Sequence, residues 1–168
     1  MEPLVDTVIE DPRWQALGLA ARGDAAAVAV LAELGMAPVG FTMCIMGCDD
    51  ARIAELNAAF REKGMPTNVL SWPSEERGAE FVGEMPALPD PRMGDEAVSL
   101  GDIALAYETC GREAAEQEKS VEDHVTHLIV HGILHLLGFD HVEDEDAELM
   151  EATEVRILAK LGVADPYM

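Results

Sequence analysis

Basic residues are scarce in this chain. Its 168 residues carry 11 Lys and Arg against 33 Asp and Glu, a formal net charge of −22. Lys63, Lys119 and Lys160 are the only lysines. General polyanion binding is excluded on that balance, because its affinity comes from spread Lys and Arg. A small, locally positive site is not excluded. No long apolar, uncharged run is present, so no membrane span is expected. The start, M-E-P-L-V-D, lacks the basic residues and apolar stretch of a secretory signal. Cysteine is also sparse: Cys44, Cys48 and Cys110, an odd number, read as free thiols packed in a core in a reducing cytoplasm. A C-x-x-x-C metal pair is the weaker alternative. No internal repeat appears, and the length suits one domain spanning 1–168, large enough to fold without staples.

What is present is concentrated. All five histidines lie between positions 124 and 141, three of them in H-G-I-L-H-L-L-G-F-D-H. His131 and His135 are four apart, so a helix projects both from one face on successive turns. Gly138 offers an exit from the helix, and His141 can fold back toward the same point. Three neutral imidazoles leave a fourth position open on a tetrahedral ion, which is the layout of a catalytic zinc. His124 and His127 lie on the same stripe. One turn rises about 5.4 Å, so only neighbouring turns can share an ion, and His141 reaches the C-terminal pair more easily. The expected ligands are therefore His131, His135 and His141, with His124 and His127 left as surface or supporting residues. Asp140 reads equally as a carboxylate that orients an imidazole and as a turn residue.

One missing residue redirects the chemistry. Zinc peptidases with this histidine spacing carry Glu after the first His as general base. Here Gly132 stands in that place, and glycine takes no proton from water. A metal hydrolase acting on something other than a peptide bond is expected.

The surrounding pattern predicts mixed elements. Residues 4–9 suit an edge strand, and Pro12 opens a helix to Leu34 with a break at Gly23-Asp24. Residues 39–47 read as a strand buried on both sides. Asp49 or Asp50 caps a helix whose face is Ile53, Leu56 and Phe60, and Pro66 stops it. Residues 67–72 form a short strand, 73–96 a long loop with room for a hairpin, and 98–107 the best strand of the chain. A helix over 112–118 precedes one over 121–137, which Ser120 and Asp123 cap. The last helix covers 145–161. Seven of the twelve residues 143–154 are acidic, which reads as a solvated helix face with an acidic first turn.

The histidine run, P-T-N-V-L-S-W at 66–72 and L-G-D-I at 100–103, in this order, resemble the YbeY family of bacterial endoribonucleases. The resemblance spans about residues 50–161. It implies an α+β fold, a single domain with a small mixed sheet flanked by helices and a zincin-like metal-binding helix. It also implies one zinc ion on His131, His135 and His141, although imidazole suits other transition metals. The implied activity is single-strand-specific RNA cleavage in the cytoplasm during rRNA maturation, including the 16S 3′ end, and in ribosome quality control. The implied partners are rRNA, the small ribosomal subunit and its assembly factors, with no DNA and no membrane.

The family's essential arginine, upstream of the P-T-N-V-L-S segment, matches Arg61. By itself Arg61 reads as a helix C-terminal arginine favourable to the dipole; with the resemblance, its planar charged fork suits a phosphate. Arg61 and His131 are thus the candidate catalytic residues, and Arg61 and Lys63 the candidate substrate contacts. Thr67, Asn68 and Ser71 either donate hydrogen bonds near the site or close a turn. The family commonly has an aspartate where this chain has Gly64, and Phe where it has Trp72. Water activated at the metal, His127 and a nearby carboxylate all stand as proton acceptors, and the RNA 2′-hydroxyl as an alternative nucleophile. The two rival readings are a zinc metallopeptidase-like hydrolase and a ribosome-assembly factor with a structural metal.

Overall fold

A computed structural model of the chain describes residues 3–61, 67–75, 77–79, 81–89 and 97–167, with the backbone alone for Phe60 and Arg61. In chain order the elements are β1 (Val5–Ile9), α1 (Arg13–Ala16), α2 (Leu19–Glu33), β2 (Phe41–Cys48), α3 (Asp50–Arg61), β3 (Val69–Pro73), β4 (Val98–Ala106), α4 (Tyr107–Glu116), α5 (Val121–Leu136) and α6 (Asp144–Lys160). The fold is α+β, a four-stranded mixed sheet in the order β1-β2-β4-β3 with helices on both faces. β1 and β2 run parallel, as do β2 and β4, while β3 lies antiparallel to β4. β1 and β3 are the edges, and Pro73, which cannot donate to a ladder, sits at the end of an edge strand.

β2 and β4 are the central strands, each paired along both sides, and β4 carries the irregularity. Its register slips beside Thr42/Met43, so Leu100 is an extra residue between Ser99 and Gly101. That bulge turns Leu100 to the same side as Ile103 and Leu105, and all three are buried in the main core. Gly101 makes it possible: its φ of 138° suits glycine, and a Cβ there would strike the Trp72 carbonyl oxygen. The L-G-D-I motif is thus a sheet device.

The main core lies between the sheet and α2, α5 and α6. α5 is buried almost all round, with Val125, Ile129, Val130, Ile133, Leu134 and Leu136 at zero exposure, as befits a central helix. Each such side chain contributes about 1.5–3 kcal/mol when fully buried. A smaller cluster of Cys48, Ile53, Leu70, Ala104 and Ala106 places α3 over the other face. No helix among the described residues is long and apolar enough to cross a membrane.

The strand at 4–9 is an edge strand as expected. Two helix boundaries differ from expectation. The N-terminal helical region breaks at Gly18, not at Gly23-Asp24. Gly23 lies inside α2, where a Cβ would come 3.1 Å from Ile45 Cδ1; it is a close helix–sheet contact and not a breaker. α4 starts at Tyr107, five residues before 112, because β4 runs into it directly with no capping side chain at Ala106. In β2 buried and half-buried residues alternate, so one face is less covered than a doubly buried strand requires. Over 73–96 no strand follows Pro73 among the described residues. Pro66, like the side chain of Phe60, lies outside the described residues.

Candidate metal centre

Ser120 starts α5: its Oγ accepts from the Asp123 N–H at 3.1 Å, and Glu122 and Asp123 lie in the acidic first turn. The helix carries His131 and His135 to its last turns and ends at Leu136. Gly138 then turns the chain back with φ 104°. A Cβ at Gly138 would clash with the Arg77 carbonyl oxygen, so the turn is closed by close backbone approach as well as by conformation. The Arg77 guanidinium donates to Leu136 O at 3.0 Å and Leu100 O at 3.2 Å, tying the negative end of α5 to β4.

His141 comes back onto the helix as a result. The ring centroids of His131, His135 and His141 stand 4.7, 5.0 and 5.3 Å apart, and one donor atom from each lies within 4.8 Å of the others. Three convergent neutral imidazoles fit one transition-metal ion with a position to spare. Burial, then the neighbouring His131 and His141, push the His135 imidazole down to about 4, so it is neutral and ready to bind as a ligand near pH 7. The trio lies on a cleft of about 780 Å³, whose other wall is Thr67–Ser71 and Asn57.

Behind His131 stands a carboxylate. Glu154, on α6, has no exposed surface. Its Oε2 accepts from His131 Nδ1 at 2.8 Å, which leaves His131 Nε2 as the nitrogen that would bind an ion. Its Oε1 accepts from His127 Nε2 at 2.7 Å and from the Tyr167 hydroxyl at 2.6 Å. Burial opposes the charge on Glu154, yet the hydrogen bonds from His127 and His131 outweigh it and hold the carboxyl down at about 2. His127 Nδ1 is buried without a partner, which fits a neutral ring with its single proton on Nε2. His127, His131 and Glu154 also lie close enough to suggest a second metal group. Their contacts of 2.7 and 2.8 Å are hydrogen bonds, however, whereas donors on a tetrahedral zinc stand about 3.3 Å apart when the bonds are about 2.0–2.1 Å.

His124 is buried, and its Nε2 lies 2.9 Å from Glu113 Oε1. Glu113 also accepts from Asn68 Nδ2 at 3.0 Å, so this histidine supports the cleft wall through a carboxylate. Gly132 faces the sheet: a Cβ there would come 3.1 Å from Ile103 Cδ1. A glutamate at 132 would start against Ile103 on the sheet. Asp140 is the one carboxylate among the described residues lining the cleft. Partial burial opposes its charge, but the hydrogen bond from the His141 backbone N–H, 2.7 Å away, helps hold the carboxyl below its ordinary value.

The family described as Endoribonuclease YbeY matches residues 22–162. The chain belongs to the endoribonuclease YbeY family. A relative of that name in Cereibacter sphaeroides is 66% identical over 167 residues, covering 99% of this chain and 100% of its own. Another in Jannaschia sp. is 56% identical, covering 97% and 99%, and one in Azorhizobium caulinodans is 47% identical, covering 97% and 95%. Among solved structures, the solution structure of TM1509 from Thermotoga maritima matches with a TM-score of 0.61 at 22% identity, covering 94% of this chain and 88% of that one. That likeness concerns the fold.

The structure brings His131, His135 and His141 together and keeps His124 and His127 off the cleft lining. It places Arg61 as the last residue of α3, one turn beyond Asn57, which lines the cleft. The Arg61 side chain, Lys63 and Gly64 lie outside the described residues. Cys48 and Cys110 are free and buried in the core clusters, as expected; Cys44 is free but half-buried on the less covered face of β2, outside both clusters. Sequence reasoning missed Glu154 and Tyr167. Glu154 stood among seven acids read as a solvated face. The available signal was its spacing, four after Met150 and four before Leu158, on the buried stripe of α6.

Proposed function

We propose that the chain is a zinc-dependent endoribonuclease that cleaves single-stranded rRNA during maturation of the small ribosomal subunit, with residues 1–168 forming one catalytic domain. The observation that carries this reading is the convergent His131, His135 and His141 trio on an open cleft, in a chain of the endoribonuclease YbeY family. These three would hold the ion. A zinc ion in such a site supplies Lewis acidity and lowers the pKa of a bound water to about 7.

The rest of the work falls to the chain. His131 is held in one tautomer and orientation by Glu154. Arg61 clamps the scissile phosphate with its planar fork, and Lys63 guides the RNA backbone. Asp140, ionised and on the cleft, would accept the proton, since His127 is already bonded to Glu154. The described cleft lining is close to charge balance, Asp140 against Arg77, and a divalent ion on the three neutral histidines would make it locally positive. A phosphate chain can therefore enter despite the net charge of −22. The acidic remainder of the surface keeps intrinsic RNA affinity low, so targeting relies on the ribosome or an assembly factor.

The test joins elemental analysis to cleavage of a single-stranded rRNA fragment by wild type and Arg61→Ala. Retained zinc with cleavage reduced at least about a hundredfold is expected. Equal cleavage by both proteins would remove Arg61 from the chemistry. Products ending in a cyclic phosphate would assign the 2′-hydroxyl as nucleophile; 5′-phosphate products would assign water.

A further inference from the structure

The C-terminal segment does not simply trail from α6. Val163 N–H donates to Leu158 O at 2.9 Å and its side chain packs on the main core. Lys119 Nζ then grips Pro166 O at 3.2 Å, and the Tyr167 backbone N–H donates to Asp165 Oδ1 at 2.8 Å. These contacts bring the Tyr167 ring edge-on to His127, with centroids 5.6 Å apart. The Tyr167 hydroxyl donates to Glu154 Oε1 at 2.6 Å, the shortest of the three hydrogen bonds on that carboxylate.

A carboxylate with no exposed surface cannot turn to water if a partner is lost. Its two oxygens are divided between two tasks. Oε2 fixes His131, and Oε1 is held by Tyr167 and His127. Rotation of the carboxylate about its last bond would move both together. We propose that Tyr167 is a positioning residue for the metal centre: its hydroxyl locks Glu154 in the orientation that grips His131, so metal affinity depends on docking of the C-terminal tail. This rests on the reading of His131, His135 and His141 as metal ligands. The tail thereby becomes a point through which anything that lifts residues 163–167 loosens the metal.

Zinc affinity of the full chain, measured by competition with a chromophoric chelator, tests it, with melting followed in the metal-free and zinc-loaded states. Tyr167→Phe keeps the ring and removes the donor. We expect its zinc dissociation constant to rise about tenfold, with metal-free melting nearly unchanged and a smaller zinc-induced rise in melting temperature. In a Glu154→Gln background the same change should add nothing, because its route is gone. An unchanged dissociation constant overturns the proposal, even if both melting temperatures fall together, since that marks packing alone. Multiplicative effects of the two substitutions overturn it as well. If wild type binds no zinc that His135→Ala abolishes, the ligand reading itself fails, and the proposal with it; zinc bound equally by wild type and Tyr167→Phe leaves the ligand reading standing.

Discussion

Glu154 Oε2 lies 2.8 Å from His131 Nδ1, and the two residues come from different helices 23 positions apart. This contact turns a helix with histidines into an oriented set of donors. A neutral imidazole that gives one N–H to a carboxylate presents its other nitrogen to an ion in a fixed direction, and the carboxylate raises its basicity.

Glu154→Gln should therefore leave the fold intact while raising the zinc dissociation constant about 10- to 100-fold. The amide NH2 donates and cannot accept, so glutamine keeps one acceptor oxygen where the carboxylate has two, and one imidazole is left to swing. Chelator competition reads this directly, and circular dichroism checks the fold. Zinc binding as tight as wild type would show that His131 needs no carboxylate.

Gly138→Ala should lower stability by about 2 kcal/mol or more, since φ 104° penalises any side chain and the Arg77 carbonyl occupies the Cβ position. That corresponds to a fall of about 4–8 °C in melting temperature for a chain of this size. Zinc affinity should drop with it, because this turn delivers His141. A protein as stable as wild type would mean that the turn has another way to close.

Gly132→Glu should not create a peptidase. It should destabilise the protein by about 3 kcal/mol or more, since the position packs on Ile103 and the new carboxylate would be buried without a partner. Urea denaturation measures the loss, and a casein assay should stay blank. A stable variant with peptidase activity would overturn the placement of Gly132 against the sheet.

Burial pushes the Cys48 and Cys110 thiols up to about 12 from an ordinary value of 9.0. In the unfolded chain they ionise near 9, so between about 9 and 12 the folded state holds more protons. Stability should therefore decline as pH rises through that window, and below 9 these thiols should not affect it. Denaturation midpoints at pH 8, 9.5 and 10.5 test the direction. Fast reaction of both thiols with a disulfide reagent in the native protein at pH 8 would contradict their burial.

The legible parts of this molecule are those whose signals are local. The Ser120 cap, the four-residue spacing of His131 and His135, and the Gly138 exit all act within two turns, and the structure follows them. Gly23 misled because a glycine permits a sharp turn and a close helix–sheet contact equally well, and only the position of Ile45 decides between them. The start of α4 at Tyr107 had no capping residue to announce it. Glu154 was hidden by composition, one buried acid in an acidic run, although its place on the stripe of Met150 and Leu158 was readable. Tyr167 carries no such signal: its role exists only once the tail has folded back 40 positions onto His127. Asp140, read evenly as a turn residue or an orienting carboxylate, binds the backbone of His141 more closely than its ring, at 2.7 against 3.5 Å.

The most direct test follows cleavage of a single-stranded rRNA fragment by wild type and His135→Ala, before chelation, after it, and after return of one equivalent of zinc. Chelation should cut wild-type cleavage at least about a hundredfold, and one equivalent should restore it. His135→Ala should stay inactive throughout while keeping its fold. Undiminished cleavage by metal-free wild type, or by His135→Ala, would contradict the account.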